Sequence, residues 1–486
     1  MEHQQLYDYT SPTAIASYSR KLQNKTFRDV LPEKYKYYKG KGGLGQLLEK
    51  YFYMYEPNSD KNPDFEEAGV ELKVVPFKRN RNGDLRAKER IVLSIINYME
   101  VVHETFETSS FLHKNRKLML IFYEHMKDID KLDYNIMFTL LFQLPEKDLE
   151  IIKEDWIKIV SKIRDGKAEE LSEGDTFYLG ACTKGATRES SYRQQPYSTE
   201  KAPQRAFSLK SKYVTSILND YAVKQISTSE SMVAETATQV VPSHDTVASN
   251  IDYQFNRTTD YDPIVHNVGT IQKTTFEDYV LDTINWYKNR SVHELAQIFD
   301  VNDNKLKNFA SKVSLKMLGV ETKKAEEFEK ANVKVKAIRI EENGTIREHM
   351  SFPAFQFTDL VKESWETSSL RELLFETKFL FIIFRYENGI LNLKKGMFWS
   401  MPVNDLDENV KEVWEKTRKI VSDGIQVWTK GQRRFNNLPS AKDNPVAHVR
   451  PHASDKNDTY PLPGGGEFTK QSFWLNKEYI LNQIKE

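Results

Sequence analysis

One cysteine, Cys182, stands in 486 residues. A lone thiol excludes internal disulfides and cysteine-cage zinc sites, and it fits a reducing cytoplasm. Net charge is missing too. The 70 lysines and arginines balance 70 acids, so the overall field draws no polyanion from a distance. The opening MEHQQLYDYT carries no basic-then-apolar leader, and the longest apolar run, Phe379 to Phe384, is far too short to span a bilayer. A soluble cytoplasmic protein without a membrane partner is expected.

What is present suffices for packed cores: 39% hydrophobic and 12% aromatic residues beneath a 29% charged surface. The length exceeds what one core supports, so two domains are expected. Strand-like segments (Val70 to Pro76, Leu118 to Tyr123) alternate with helical ones (Leu44 to Tyr53, Lys147 to Arg164), and Val333 to Ile340 and Phe379 to Arg385 repeat the mixture. That pattern predicts α/β domains. Between about Ala222 and Thr274 the chain turns to Ser, Thr, Val, Asp and Asn without periodicity. This reads as a linker, residues 223–272, between domains 1–222 and 273–486. One stretch is locally basic: Lys34, Lys36, Lys39 and Lys41 interleave with Tyr35, Tyr37 and Tyr38. The mixture suits phosphates and sugar faces, although a solvated surface reads the same way.

The halves also resemble each other. Phe65 to Lys73 (FEEAGVELK) matches Phe328 to Lys336 (FEKANVKVK) at five of nine positions; ETSS at Glu107 to Ser110 recurs at Glu366 to Ser369; and F-x-L-x-x-x-Y at Phe207, Leu209 and Tyr213 recurs at Phe473, Leu475 and Tyr479. Order and spacing are kept, which implies a duplicated domain.

Pro63-Asp64, a short gap, then Glu71-Leu72-Lys73 has the PD…ExK form of magnesium-dependent nucleases. A D…ExK match arises by chance several times in a chain this long, and three surface charges at the lip of a strand would give the same letters. Residues two apart on a strand share a face, so Glu71 and Lys73 project together while Leu72 turns inward. Asp64 and Glu71 offer hard oxygen ligands for Mg²⁺, the Leu72 carbonyl another, and Lys73 a cation for the nucleophile or the phosphate. Gly42-Gly43 opens a helix carrying Glu49, and His113-Lys114 precedes the strand LMLIFY. His113 has no second histidine at metal spacing, and HVRPH (His448, His452) lacks further ligands for zinc.

On GLGQLLE (Gly43 to Glu49), PDFEEAGVELK (Pro63 to Lys73), FETSSFLHK (Phe106 to Lys114), CTKGA (Cys182 to Ala186) and QRAFSLKSKYVTSIL (Gln204 to Leu218), the chain resembles the MutH-like nucleases. Over nearly its whole length it is similar to GATC-cutting type II restriction enzymes of the Sau-three-A type. The resemblance implies two tandem restriction-endonuclease-like domains, each a mixed sheet flanked by helices. It implies metal at Asp64 and Glu71, Glu49 assisting, Lys73 and Lys114 near the attacking water or phosphate, and cleavage of double-stranded DNA 5′ of G in GATC. For DNA reading it points to Lys41 and Gly42 beside phosphates, Lys184 in a recognition loop, and an Arg205-to-Lys210 turn, with Phe207 and Ser208, in the major groove. The repair enzyme carries tyrosine where this chain has Ser208, which puts that contact in doubt. Phe207, Leu209 and Tyr213 also read as core packing, and the repeated ETSS as structural.

In the second copy Glu327 aligns with Asp64, Lys334 with Glu71 and Leu373 with Lys114. A lysine in place of the central carboxylate predicts a half that does not cut but binds a second DNA site through Arg450, Lys470, Gln471 and Lys477, favouring self-association on DNA. A cognate methyltransferase is the expected functional partner. The alternatives are a mismatch-repair-type nicking enzyme and a non-catalytic, sequence-specific DNA-binding protein.

Overall fold

Apolar runs without alternation make strands that are buried on both faces, and the two longest here become the central strands of two sheets. The computed structural model describes residues 6–33, 43–57, 61–80, 83–184, 191–222, 261–302, 305–431 and 433–485. It divides into two units: Met1–Leu171, Asp175–Thr275 and Glu326–Ala331 form the first, and Ser172–Gly174, Phe276–Ala325 and Asn332–Glu486 the second. Of the linker expected at 223–272, residues 223–260 lie outside the described residues, while 261–275 belong to the first unit.

The strands of the first unit are β1 (Lys25–Thr26), β2 (Glu71–Arg79), β3 (Leu85–Ala87), β4 (Ile91–Ile95), β5 (Lys117–Glu124), β6 (Asn135–Gln143), β7 (Leu179–Thr183), β8 (Tyr192–Arg193), β9 (Ala202–Pro203) and β10 (Arg205–Leu209). Its main sheet runs β1-β6-β5-β2-β3, with β2 and β5 parallel and β6 antiparallel to β5. A three-stranded antiparallel sheet runs β4-β10-β7. The 19-residue helix Glu146–Arg164 buries Ile152, Trp156, Ile159 and Ile163 along one stripe. From that helix the buried Asp155 accepts the amides of Phe177, Tyr178 and Leu179 at 2.7, 2.7 and 2.8 Å and so fixes the start of β7.

The second unit contains β11 (Val333–Ile340), β12 (Met350–Phe355), β13 (Lys378–Glu387), β14 (Ile390–Trp399), β15 (Val427–Lys430), β16 (Arg433–Asn436), β17 (Ala447–Pro451), β18 (Thr459–Pro461), β19 (Glu467–Thr469) and β20 (Gln471–Leu475). Here β11 and β13 are parallel, β14 is antiparallel to β13, and β12-β20-β17 form an antiparallel sheet. Both units are therefore mixed α/β layers, and no described helix is long and apolar enough to cross a membrane.

The sequence repeats occupy corresponding places. Gly69 and Asn332, the fifth residues of the first repeat, both take the left-handed conformation (φ 63° and 54°) that glycine and asparagine tolerate best. Glu71 faces Leu118, the second residue of β5, while Lys334 faces Phe379, the second residue of β13. ETSS caps a helix in each unit. Ser109 accepts the amide of Leu112 at 3.1 Å and donates to the Phe106 carbonyl at 2.7 Å; Ser368 does the same with Arg371 at 3.2 Å and Trp365 at 3.0 Å.

Candidate active site

The six residues between Asp64 and Glu71 form a tight loop. Phe65 and Val70 exchange backbone hydrogen bonds of 2.9 and 3.2 Å, and the Gly69 amide donates to the Glu66 carbonyl at 3.0 Å. The loop folds Asp64 back on the start of β2, where its Oδ2 accepts the Leu72 amide at 2.9 Å and its own amide donates to Glu71 Oε2 at 3.1 Å. Glu71 is 3% exposed. A carboxylate so buried needs partners, and two ammoniums supply them: Lys73 Nζ at 2.7 Å and Lys114 Nζ at 3.6 Å, both on Oε1. Lys73 comes from the same face of β2, whereas Lys114 is brought in by the Ser109-capped helix Ser110–Asn115.

Burial, and then the charge of Glu71, push Asp64 up to about 7. Glu49, on the helix Leu44–Tyr51, is also raised, chiefly by burial, with Glu71 adding and Lys73 and Lys114 opposing. Three carboxyls and two ammoniums thus share one electrostatic site. Among the described residues no three His, Cys, Asp or Glu side chains converge as a ready-made metal cage. Glu71 is instead turned to its lysines.

Sequence reasoning missed Tyr55. Its amide donates to the Glu49 carbonyl at 3.0 Å, and its ring packs edge-on to Phe65 with centroids 5.3 Å apart. The hydroxyl is buried and finds no hydrogen-bond partner among the described residues. Burial, then Asp64, Glu49 and Glu71, hold it far above the usual phenol range. It stands in the run YFYMY, where nothing in spacing distinguishes it.

The MutH family model, described as the DNA mismatch repair enzyme MutH, matches residues 53–155, which span Tyr55, Asp64, Glu71, Lys73 and Lys114. The type II restriction enzyme Sau3AI of Staphylococcus aureus is 36% identical over 92% of this chain and 93% of its own length. The chain belongs to the MutH-like type II restriction enzymes. Mismatch repair proteins MutH of Shewanella woodyi and Vibrio parahaemolyticus are 28% and 27% identical, but over only 37% and 39% of the chain. Sau3AI thus matches nearly the whole chain, and the repair proteins little more than a third of it. The chain's enzyme class is that of the site-specific deoxyribonucleases.

The residues expected to read DNA are placed differently from the site above. Lys41 and Gly42, with the lysine-tyrosine stretch, lie outside the described residues. Lys184 follows β7 half-buried, its amide bonded to the Gln204 carbonyl at 2.7 Å. The segment from Arg205 to Leu209 is no turn but β10, the middle strand of its sheet, and all five residues are buried. Arg205 Nη1 donates to the Ala181 carbonyl at 3.1 Å, Phe207 packs on Phe111 with centroids 5.0 Å apart, and Ser208 is fully buried. Lys210 is buried on the Thr176 carbonyl beside Asp155. Ladder pairing on both edges encloses these side chains, and no spacing argument had supplied that.

In the second unit Arg450 is exposed, its guanidinium 5.0 Å from the Trp474 ring centre. Lys470 pairs with Asp458, Lys477 lies 3.7 Å from Glu478, and Gln471 is buried and donates to the Thr469 carbonyl at 3.0 Å. His448 and His452 are held by Asn476 at 2.6 Å and by the Phe352 carbonyl at 2.9 Å. Lys334 is exposed, and Leu373 takes the helix position of Lys114. Glu327 belongs to the first unit, where it is fully buried, accepting the amides of Ile264 and Val265 at 2.8 and 3.2 Å and Lys147 at 3.0 Å.

Proposed function

We propose that the enzyme hydrolyses phosphodiester bonds of double-stranded DNA with Mg²⁺, cutting 5′ of G in GATC, from Asp64, Glu71 and Lys73 with Glu49 and Lys114 in support. The observation that carries this is the convergence of Asp64 and Glu71 at the start of β2 under two lysines. GATC itself rests on the sequence resemblance, because base specificity depends on contacts that strand geometry does not supply.

The donor set fits the metal. Mg²⁺ takes one or two protein carboxylates and shares its remaining positions with water and substrate phosphate, so a three-carboxylate cage is not required. Asp64, Glu71 and the Leu72 carbonyl would hold it, with Glu49 beside them. The raised Asp64 and the orphaned Tyr55 hydroxyl are what a centre short of a cation should look like. When bound, the ion supplies charge for the scissile phosphate and lowers the pKa of a coordinated water. Lys73 and Lys114 are the ammoniums available to the attacking water and the phosphate; the Tyr55 hydroxyl is a donor with no acceptor among the described residues.

The second unit does not cut in this reading. Lys334 replaces Glu71 and Leu373 replaces Lys114, while Glu327, aligned with Asp64, is built into the first unit. We assign it the binding of a second duplex through Arg450, Lys470, Gln471 and Lys477, which shifts the population towards a self-associated form whose two first units cut both strands. A cognate methyltransferase protects the host in the same scheme.

A one-site duplex tests both parts. Double-strand cuts are expected, accelerated by an added uncleavable site-bearing duplex. Nicks alone would point to a repair-type enzyme, and binding without product to a non-catalytic one.

A further inference from the structure

Lys336 sits at the place of Lys73: in each unit it faces the fourth residue of the middle strand, Leu120 of β5 or Phe381 of β13. Its surroundings differ. Two residues before Lys73 stands Glu71, which neutralises it; two before Lys336 stands Lys334. The Lys336 ammonium is left with the Ser351 carbonyl at 3.2 Å and the Phe352 ring 5.6 Å away. It lines a cavity of about 360 Å³ whose other walls include Lys305, Lys307, Arg339 and Arg347, against one acid, Glu348, among the described residues. Arg339 is bonded to Glu341 at 3.1 Å and lies 3.6 Å from Glu348. The 12-residue helix Leu306–Met317 begins at the rim without a side-chain cap.

Cations gathered around a concave, partly dry wall repel one another unless an anion joins them. Burial, and then Lys307, pull Lys336 down to about 8, the mark of a positive charge lacking its counter-charge. We propose that this cavity is a phosphate-binding site, the place of the catalytic lysine converted from metal chemistry to anion binding. The phosphate that it takes is that of a duplex backbone. That source rests on the second-site reading above, whereas the cavity's affinity for phosphate does not.

The test uses the full chain carrying Glu71→Ala, so that duplex is bound and not cut. Lys336 is mapped by mass spectrometry after brief treatment with an amine-directed acylating reagent, with and without pyrophosphate or a site-bearing duplex. Binding of a second duplex is then measured against salt for this protein and for the Lys307→Ala/Arg347→Ala variant, whose changed residues are exposed and leave the core untouched. The expected results are protection of Lys336 by pyrophosphate, and by duplex at far lower concentration. The variant should lose roughly tenfold in second-duplex binding, with a salt slope smaller by about two. If pyrophosphate protects and duplex does not, the phosphate site stands and the second-site reading falls. If a second duplex binds equally to both proteins while Lys336 is never protected, the site is overturned and the second-site reading survives.

Discussion

Glu71 and Lys73 leave β2 on one face, and the lysine ammonium lies 2.7 Å from a carboxylate oxygen that also faces Lys114 at 3.6 Å. The carboxylate is the hub of the candidate active site. Glu71→Gln keeps the shape and removes the charge. DNA cleavage should fall by at least about 10³-fold while DNA binding persists, measured as single-turnover cutting of a one-site duplex. Lys73→Met should cost about 10²-fold or more.

Tyr55→Phe separates chemistry from packing. The hydroxyl is buried without a partner among the described residues, so its removal should leave stability unchanged or raise it by up to about 1 kcal/mol. Cutting should nonetheless slow by roughly tenfold. A thermal melt with a cleavage time course reads both, and an unchanged rate would make Tyr55 mere core.

Metal affinity should depend on pH with a definite sign. Asp64 is held up near 7, so the metal-free folded protein keeps a proton that the unfolded chain gives up near 4. Stability from this group is present below the unfolded value and lost as pH rises through about 7. Bound Mg²⁺ must displace that proton. Its affinity should therefore climb by about one decade per pH unit below 7 and level off above, as read by calorimetry on the full chain.

Asp155→Ala strands three buried amides and removes a buried carboxylate beside Lys210. A loss of about 3–5 kcal/mol is expected, seen as a lower urea midpoint for the first unit's transition. Ser109→Ala and Ser368→Ala should each cost only about 1 kcal/mol, because each removes one helix cap. Of the two, only Ser109→Ala should disturb cutting, through the helix that carries Lys114.

Much of the site was legible because it is local. Asp64, Glu71 and Lys73 fall within ten residues, and strand parity together with the Gly69 turn brings them together. Lys114 and Glu49 come from other elements and were reached through family resemblance, not through spacing. The two apolar runs announced the central strands, but the repeats did not disclose that the first unit's main sheet has five strands and the second's three. What was not legible depends on long-range enclosure. Arg205, Ser208 and Lys210 read as a DNA-facing turn, yet all three are buried, the first two on β10 between β4 and β7 and Lys210 just beyond it, while Phe207, which also read as core, packs on Phe111. Tyr55 depends likewise on the left-handed Met54 (φ 64°) and the amide bond to Glu49, which its letters do not disclose.

Digestion of long unmethylated DNA with Mg²⁺ by the intact protein and by Glu71→Ala, with the product ends sequenced, addresses the central point most directly. Ends that begin with GATC from the intact protein, and none from the variant, are the predicted result. Equal cutting by both proteins, or ends that begin elsewhere, would contradict it.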